Sequence, residues 1–351
     1  MKRVLTLEIL TSSMEQKLHH LWKEEYDHLV RYINNTVCCG KMPHAKNIVN
    51  VRHVAQHFCC NLIRSLVFAL VGLDLDGHEE VSMDVMRTVN RVHDPIIRER
   101  IHERSSTLEK GGEDKGARDF LDVLVHLKDA EGQPLLSLQE IRAQTTEMVL
   151  AAVDNPSTVE WALAEMMNRP EIMQKVTDEL DAVIGKDRLV QESDIPRLNY
   201  LKSCIREAFR IHPYHALNLP HVATVDTTIA GYTIPKDSHI LLSRLGLGRN
   251  PKIWSEPLEF RPERHLNTVN VLLTEPGLRF ISFSSGRRGC PGISLGTSIT
   301  MMLFARMLQA FTWTKPVGVK NISLQEGNAS LALLEPLVLQ AQPRLAAYLY
   351  I

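Results

Sequence analysis

The sequence lacks an apolar run long enough to cross a bilayer. No stretch of about 18 or more apolar residues occurs, so nothing in the 351 residues is expected to span a membrane. It also lacks an excess of either charge, because 40 Lys and Arg residues are balanced by 41 Asp and Glu residues. No basic run is interleaved with aromatic residues, and nucleic acid is therefore not expected as a partner.

The cysteines do not form a disulfide or zinc framework. Two vicinal pairs, at 38–39 and 59–60, accompany two single residues, Cys204 and Cys290, and no Cys-x-x-Cys pair is present. Cysteines of this kind are typical of reduced, mostly buried thiols in a cytosol-facing protein. Cys290 is considered separately because of the residues that surround it.

Hydrophobic periodicity predicts a mainly α-helical chain with a small β portion, organised as a single domain over residues 1–351. A capping box at Ser137–Glu140 begins a helix that is expected to run for roughly 30 residues, to about Asn168. Short strands are expected at 227–229, 232–234 and 239–242, and loops and short strands over the last forty residues. The other expected helices are 14–33, 51–70, 81–103, 170–185, 200–211 and 293–311.

The strongest chemical signal is the segment 283–292, Phe-Ser-Ser-Gly-Arg-Arg-Gly-Cys-Pro-Gly, which directly precedes a predicted helix. A cysteine before a helix N-terminus has its thiolate stabilised by the helix dipole and by free backbone N–H groups. The three glycines allow the backbone to approach a flat, bulky group, and Arg288 can pair with a carboxylate. Taken alone, the segment also fits a buried cysteine in a glycine-rich turn.

A second signal is Glu207-Ala-Phe-Arg210, which places an acid and a base on one face of a helix. An isolated Glu-x-x-Arg motif usually forms a surface ion pair. Here, however, Arg261-Pro-Glu-Arg264 follows it and precedes Cys290.

In this order, the three elements resemble the cytochrome P450 family. The resemblance implies an incomplete P450 fold, with Cys290 as the axial thiolate ligand of haem b (iron protoporphyrin IX). Such a ligand pushes electron density onto iron and favours O–O cleavage. The fixed positions of the family's cysteine segment are filled by Phe283, Gly286, Arg288, Cys290 and Gly292. A buried ion network behind the haem is implied for Glu207, Arg210 and Arg264.

The resemblance narrows to one branch of the family. Asp154-Asn155-Pro156-Ser157 stands where most members carry an acid followed by threonine, and Pro156 must distort a helix. This motif, with segments 160–165, 218–222 and 246–250, is similar to the plant branch that N-hydroxylates amino acids to aldoximes. A monooxygenase of secondary metabolism is implied, and overall resemblance favours an aromatic substrate such as tyrosine or phenylalanine.

Roles for further residues are implied by the same resemblance. Asp154 and Asn155 would be catalytic, lining the oxygen side and relaying protons or holding water. Arg288 and His221 would meet the haem propionates, and Phe283 would pack beside the thiolate. His221 is equally compatible with a histidine at a strand end, and Asn155 with a polar residue that only distorts the helix.

The implied partners are O2, a small-molecule amino acid and electrons from NADPH through NADPH–cytochrome P450 reductase. The implied location is the cytosolic face of the endoplasmic reticulum membrane. Relatives associate with that membrane through an N-terminal anchor, which is absent from this sequence.

Three departures from the family bear on activity. The anchor and early segments are missing, a gap of several tens of residues is expected near 67–72, and the sequence is one residue short near Ser157-Thr158. We therefore expect a truncated gene product or an incomplete gene model with poor activity, in which the missing segments loosen haem. Three alternatives stay open: a haem-thiolate hydroxylase of another small molecule, an inactive remnant, and a purely structural helical protein.

Overall fold

The computed structural model describes residues 12–39, 48–68, 91–103, 117–152, 155–266, 270–327 and 331–350. Helices dominate these residues, and the strands are short, as the periodicity predicts. The helices are α1 (Ser12–Cys39), α2 (Val51–Phe68), α3 (91–103), α4 (Phe120–His126), α5 (Leu138–Ala152), α6 (Asn155–Met167), α7 (Pro170–Val183), α8 (Asn199–Ile211), α9 (Arg244–Gly248) and α10 (Ile293–Ala310). The strands are β1 (Ile48–Asn50), β2 (His221–Val222), β3 (Thr227–Ile229), β4 (Tyr232–Ile234), β5 (His239–Ile240), β6 (Phe311–Thr314) and β7 (Val338–Pro343).

The predicted capping box is formed at the start of α5. The Ser137 backbone N–H donates to the Glu140 carboxylate at 2.9 Å, and the Glu140 N–H donates to the Ser137 hydroxyl at 3.3 Å. The single helix expected from there to Asn168 is found as α5 and α6, and residues 153 and 154 between them lie outside the described residues. Pro156 is the second residue of α6.

The structure differs from the expected elements at the end of the last helix and in a short helix that the periodicity did not indicate. The last helix ends at Ala310, and Phe311 begins strand β6 instead of closing the helix. Helix α4 was not expected; Asp119 caps it by accepting a hydrogen bond from the Asp122 N–H. A seven-residue helix carries too few apolar repeats to be recognised from periodicity.

The core surrounds α6, which packs against α2, α7, α8 and α10. Trp161, Ala162, Leu163 and Ala164 on α6 are all fully buried, as expected for a helix with neighbours on every side. Helix α8 is buried from Tyr200 to Ile211 although it carries several charged side chains. Those charges require partners inside the protein.

The main sheet joins distant parts of the chain. It has the order β1-β7-β6 with both pairings antiparallel, and Gln340 on the central strand lies opposite Ile48 on one side and Thr314 on the other. Strands β2 and β5 pair separately, and so do β3 and β4. None of the helices in the described ranges is long and apolar enough to cross a membrane.

Candidate functional site

The segment that contains Cys290 forms a loop closed by its own backbone. The Cys290 N–H donates to the Phe283 carbonyl at 2.8 Å, and the Gly289 N–H donates to the Gly286 carbonyl at 3.0 Å. Helix α10 begins three residues after Cys290, and Gly292 stands immediately before it. The side chain of Cys290 is exposed. The alternative of a buried cysteine in a turn is therefore wrong.

Gly286 gives the loop its shape and leaves its outer face open. Its φ of +61° lies in the left-handed region that side chains disfavour. A Cβ atom built on Gly286 would meet nothing within 4 Å, so space borders the backbone there. An exposed thiol next to open, glycine-lined backbone is what a flat cofactor bound through sulfur requires, and these residues fit haem.

The loop is anchored to α8 and to the strand region. The Phe283 ring meets the Phe209 ring of α8 edge to face, with ring centroids 5.1 Å apart. The Ser282 hydroxyl donates to the Phe209 carbonyl at 2.9 Å. On another side, the buried Asn218 amide donates to the Ser284 hydroxyl at 3.0 Å. These contacts restrict the loop before any ligand binds, and Asn218 belongs to a sequence motif that had suggested no role for it.

Glu207, Arg210 and Arg264 are brought together by the structure. Arg210 binds the Glu207 carboxylate with two hydrogen bonds, of 2.8 and 2.7 Å, and Arg264 Nε donates to Glu207 Oε1 at 2.8 Å. Both Glu207 and Arg210 are completely buried. The alternative of a surface ion pair is therefore wrong.

Arg210 also binds backbone that is distant in sequence. Its Nη1 donates to the Gly248 carbonyl at 2.5 Å and to the Pro257 carbonyl at 2.8 Å. Its guanidinium lies 5.1 Å from the centre of the Trp254 ring, within the range of a cation–π interaction. Arg210 thus connects α8 to the end of α9 and to the loop that follows.

His265 belongs to the same network, which the sequence did not indicate. Its Nε2 lies 2.7 Å from Glu207 Oε2, and its Nδ1 lies 3.1 Å from Arg206 Nε. Because an arginine only donates hydrogen bonds, Nδ1 is the acceptor and Nε2 carries the hydrogen that Glu207 accepts. The only available signal was its position directly after Arg264.

The electrostatics of this network follow from burial and hydrogen bonding. Burial alone raises the pKa of Glu207, but hydrogen bonds from Arg210 and His265 and the charge of Arg210 lower it to about 2. Burial lowers the pKa of His265, although the neighbouring Glu207 opposes this. Glu207 is therefore ionised and His265 neutral at ordinary pH.

The other predicted site residues are distributed as follows. His221 is half-buried at the start of β2, opposite Ile240 of β5. Asn155 is the first residue of α6. Asp154 lies outside the described residues, as do the side chains of Asn155 and Arg288.

Comparison with known proteins identifies a family and several relatives that align along the whole of this chain. The family model described as Cytochrome P450 matches residues 70–340. The chain is 49% identical to tyrosine N-monooxygenase of Sorghum bicolor, covering 100% of this chain and 70% of the relative. It is 46% identical to a phenylalanine N-monooxygenase of Prunus mume (100% and 73%) and 45% identical to valine N-monooxygenase 1 of Manihot esculenta (100% and 70%). The alignment with the Sorghum protein extends over 395 positions, more than the 351 residues of this chain.

A solved structure shares the fold. A zebra fish cytochrome P450, determined with abiraterone, superposes with a TM-score of 0.75 at 24% identity, over 98% of this chain and 81% of that one. At this identity the likeness bears on the fold alone.

Proposed function

Because the chain belongs to the cytochrome P450 family, we propose that it is a haem-thiolate monooxygenase that N-hydroxylates an amino acid on the way to an aldoxime. The observation that carries the proposal is the exposed thiol of Cys290, three residues before α10, on a loop anchored to α8. Similarity to amino-acid N-monooxygenases along the whole chain supports the choice of reaction.

The roles of individual residues belong to the proposal. Cys290 would be the axial ligand, and a thiolate-bound haem iron supplies the electron density that favours O–O cleavage. Gly286 and Gly292 would allow the loop to approach the macrocycle, and Phe283 would pack beside the sulfur. Arg288 and His221 would hold the propionates, since positive or hydrogen-bonding side chains suit carboxylates.

Residues on the oxygen side would handle protons. Asp154 and Asn155, which follow each other in the sequence, would relay protons or hold an ordered water. Glu207, Arg210 and Arg264 would not touch substrate; their buried network would keep α8 and the cysteine loop in place. Removing one member would leave a buried charge without its partner.

The proposed overall chemistry fixes the co-reactants. N-hydroxylation inserts one oxygen atom of O2 into an N–H bond and reduces the other to water with two electrons and two protons. A second such oxidation, with loss of carbon dioxide and water, yields the aldoxime. We propose haem b as the cofactor and NADPH, through NADPH–cytochrome P450 reductase, as the electron source, on the cytosolic face of the endoplasmic reticulum.

The substrate is proposed to be aromatic. Relatives named for tyrosine and phenylalanine support this choice, whereas a relative of similar identity is named for valine. A panel of amino acids, with mass spectrometry of N-hydroxylated and aldoxime products, separates an aromatic from an aliphatic substrate.

The decisive test of ligation is spectroscopic. The purified full chain is reduced and exposed to CO, and the Soret band is recorded. A strongly red-shifted band is expected in the wild type, because only a thiolate ligand produces it, and Cys290→Ser should abolish it. Cys204→Ser, which alters a buried thiol on α8, is the matched control and should keep the band.

Other results would contradict the proposal in distinct ways. Absence of a haem band in the wild type would favour an inactive remnant. A red-shifted band without amino-acid turnover, but with oxidation of another small molecule, would favour the alternative hydroxylase.

A further inference from the structure

A second buried ion pair lies beside the Glu207 network. Arg206, the residue before Glu207, donates from Nη2 to Glu275 Oε2 at 2.6 Å. Only 9% of the Arg206 side chain and 4% of the Glu275 side chain are exposed. No sequence pattern connects these residues, which are 69 positions apart.

Arg206 also holds the backbone that leads to Glu275. Its Nη1 donates to the Thr274 carbonyl at 2.7 Å and to the Leu272 carbonyl. Its guanidinium therefore binds three acceptors on one segment of chain, at 272, 274 and 275. A planar fork with several fixed donors suits this task, and a lysine does not.

Glu275 in turn organises the turn that follows it. Its Oε1 accepts from the Gly277 N–H at 2.9 Å, and its Oε2 accepts from Arg279 Nη2 at 3.0 Å. Burial raises the pKa of Glu275, but the hydrogen bond from Arg279 and the charges of Arg206 and Arg279 lower it. The carboxylate therefore fixes the chain from 275 to 279, directly before the cysteine loop.

The pair is connected to the Glu207 network and to the loop. Arg206 Nε donates to His265 Nδ1, and His265 donates to Glu207. At the other end, the Phe280 ring packs against His265, with centroids 6.4 Å apart, and lies 5.5 Å from the Arg206 guanidinium. Phe280 is followed by Ile281 and Ser282, which begin the segment that carries Cys290.

We propose that Arg206 and Glu275 are positioning residues for the haem thiolate: their ion pair fixes the chain that enters the cysteine loop and so sets the placement of Cys290. The inference rests on the proposed function, because it assigns the pair a purpose only if Cys290 binds haem. Residues outside the ligand shell commonly tune a metal site in this manner.

The test compares two buried carboxylates with the same kinds of partner. Glu160 binds Arg52 at 2.9 Å and the Leu337 N–H at 2.8 Å, as Glu275 binds Arg206 and the Gly277 N–H. Glu160 lies on α6, and its hydrogen bonds come from Arg52 on α2 and from the backbone directly before β7. Glu275→Gln and Glu160→Gln therefore each remove one buried carboxylate that binds an arginine and a backbone N–H.

Both variants are prepared as holoprotein and measured for urea midpoint, haem transfer to apomyoglobin and the ferrous–CO Soret band. We expect Glu275→Gln to lose haem about tenfold faster than wild type, near the lower end for outer-shell changes, and to shift part of its CO band to the position without thiolate. Glu160→Gln should lower the urea midpoint without altering the band. Arg206→Lys, which keeps the charge but not the fork, should repeat the Glu275→Gln spectrum.

Several results would overturn the inference. Wild-type haem loss and CO band in Glu275→Gln would do so, and so would an equal band shift in Glu160→Gln, because the effect would then be general destabilisation. Lack of the red-shifted band in the wild type would instead contradict the haem-thiolate assignment, and this inference with it.

Discussion

The Glu207 carboxylate accepts five hydrogen bonds from four residues. Two come from Arg210, and one each comes from Arg264, His265 and the backbone N–H of Arg261. A carboxylate without water is expensive to bury, and only this degree of saturation offsets the cost. Because every hydrogen-bonding position is used, the site should not tolerate substitution of any partner. Each such substitution leaves a buried charge or a buried donor without its partner.

His265 makes the network sensitive to acid. Its pKa is lowered from the ordinary 6.5, so the native state binds fewer protons than the unfolded state below that pH. Stability is therefore present above about pH 6.5 and lost as the pH falls. A protonated ring would also present a hydrogen to Arg206, which itself only donates.

We expect the urea midpoint of the wild type to decrease when the pH is lowered from about 7.5 to about 5.5. The decrease should be smaller in His265→Gln, because the glutamine amide can still accept a hydrogen bond from Arg206 and donate one to Glu207. His53→Gln, at an exposed position of α2, serves as control and should follow the wild type. Equal pH slopes in His265→Gln and wild type would disprove the role given to His265.

Among individual residues, the sequence identified those that lie close together in a recognisable motif. It missed those that are distant in sequence and come into contact only in the folded protein. Glu207 and Arg210 share one helical turn, and Arg264 stands in a recognisable segment. Glu275 carries no local pattern, and its contact with Arg206 depends on how the chain from 270 to 280 packs against α8. The side-chain roles proposed for Asp154, Asn155 and Arg288 stay predictions.

Among the elements, α8 and α9 are packed as closely as backbones allow. The Gly248 carbonyl accepts a hydrogen bond from Arg210 Nη1, and the Gly248 Cα faces the Arg210 backbone carbonyl. A Cβ atom at position 248 would overlap that carbonyl oxygen, which cannot move without disturbing α8. Glycine is required here by the approach of two backbones.

Gly248→Ala should accordingly push α9 away from α8 and lower the free energy of unfolding by about 1–3 kcal/mol, the usual cost of overpacking. Chemical denaturation measures the change. Lys252→Ala, at an exposed position four residues on, should lie within about 0.5 kcal/mol of wild type. A fully stable Gly248→Ala protein would show that the two helices have room to separate.

The elements themselves were largely predictable because most helices carry a clear apolar period and clear stop signals. The boundary at Phe311 was not, since an aromatic residue suits the buried end of a helix and the start of a buried strand equally well. The tertiary pairing of β6 with β7 decides it. The prediction of one long helix over 137–168 stays a prediction at its centre, because residues 153 and 154 lie outside the described residues.

Strand β7 is the central strand of the main sheet and joins β1, near residue 50, to β6, which follows α10. Gln340 pairs with strands on both sides, so its backbone is enclosed within the sheet. Proline has no N–H and is not tolerated in the middle of a sheet. The integrity of this strand therefore affects both ends of the chain.

Gln340→Pro is expected to cost about 3 kcal/mol or more and to lower the thermal midpoint, monitored by circular dichroism. Gln340→Thr retains the N–H and favours extended backbone, so its midpoint should stay close to wild type. Unchanged melting of the proline variant would mean that β7 contributes little to holding β1 and β6.

The fold class and family could be predicted at this scale, and the comparisons confirm both. The chain spans 70–73% of the length of the relatives reported above. The location of the gap expected near 67–72, and the poor haem retention expected from it, stay predictions, because they depend on packing that composition and spacing do not describe.

The pairing of β1 with β7 can form only after both strands have been translated. Asn50 is made well before its partner Val338, which lies 288 positions later in the chain. At about 5–20 residues per second, roughly 15 to 60 seconds separate the two during translation. Until then the backbone of β1 lacks its partner strand, so this part of the sheet can form only after β7 has been made.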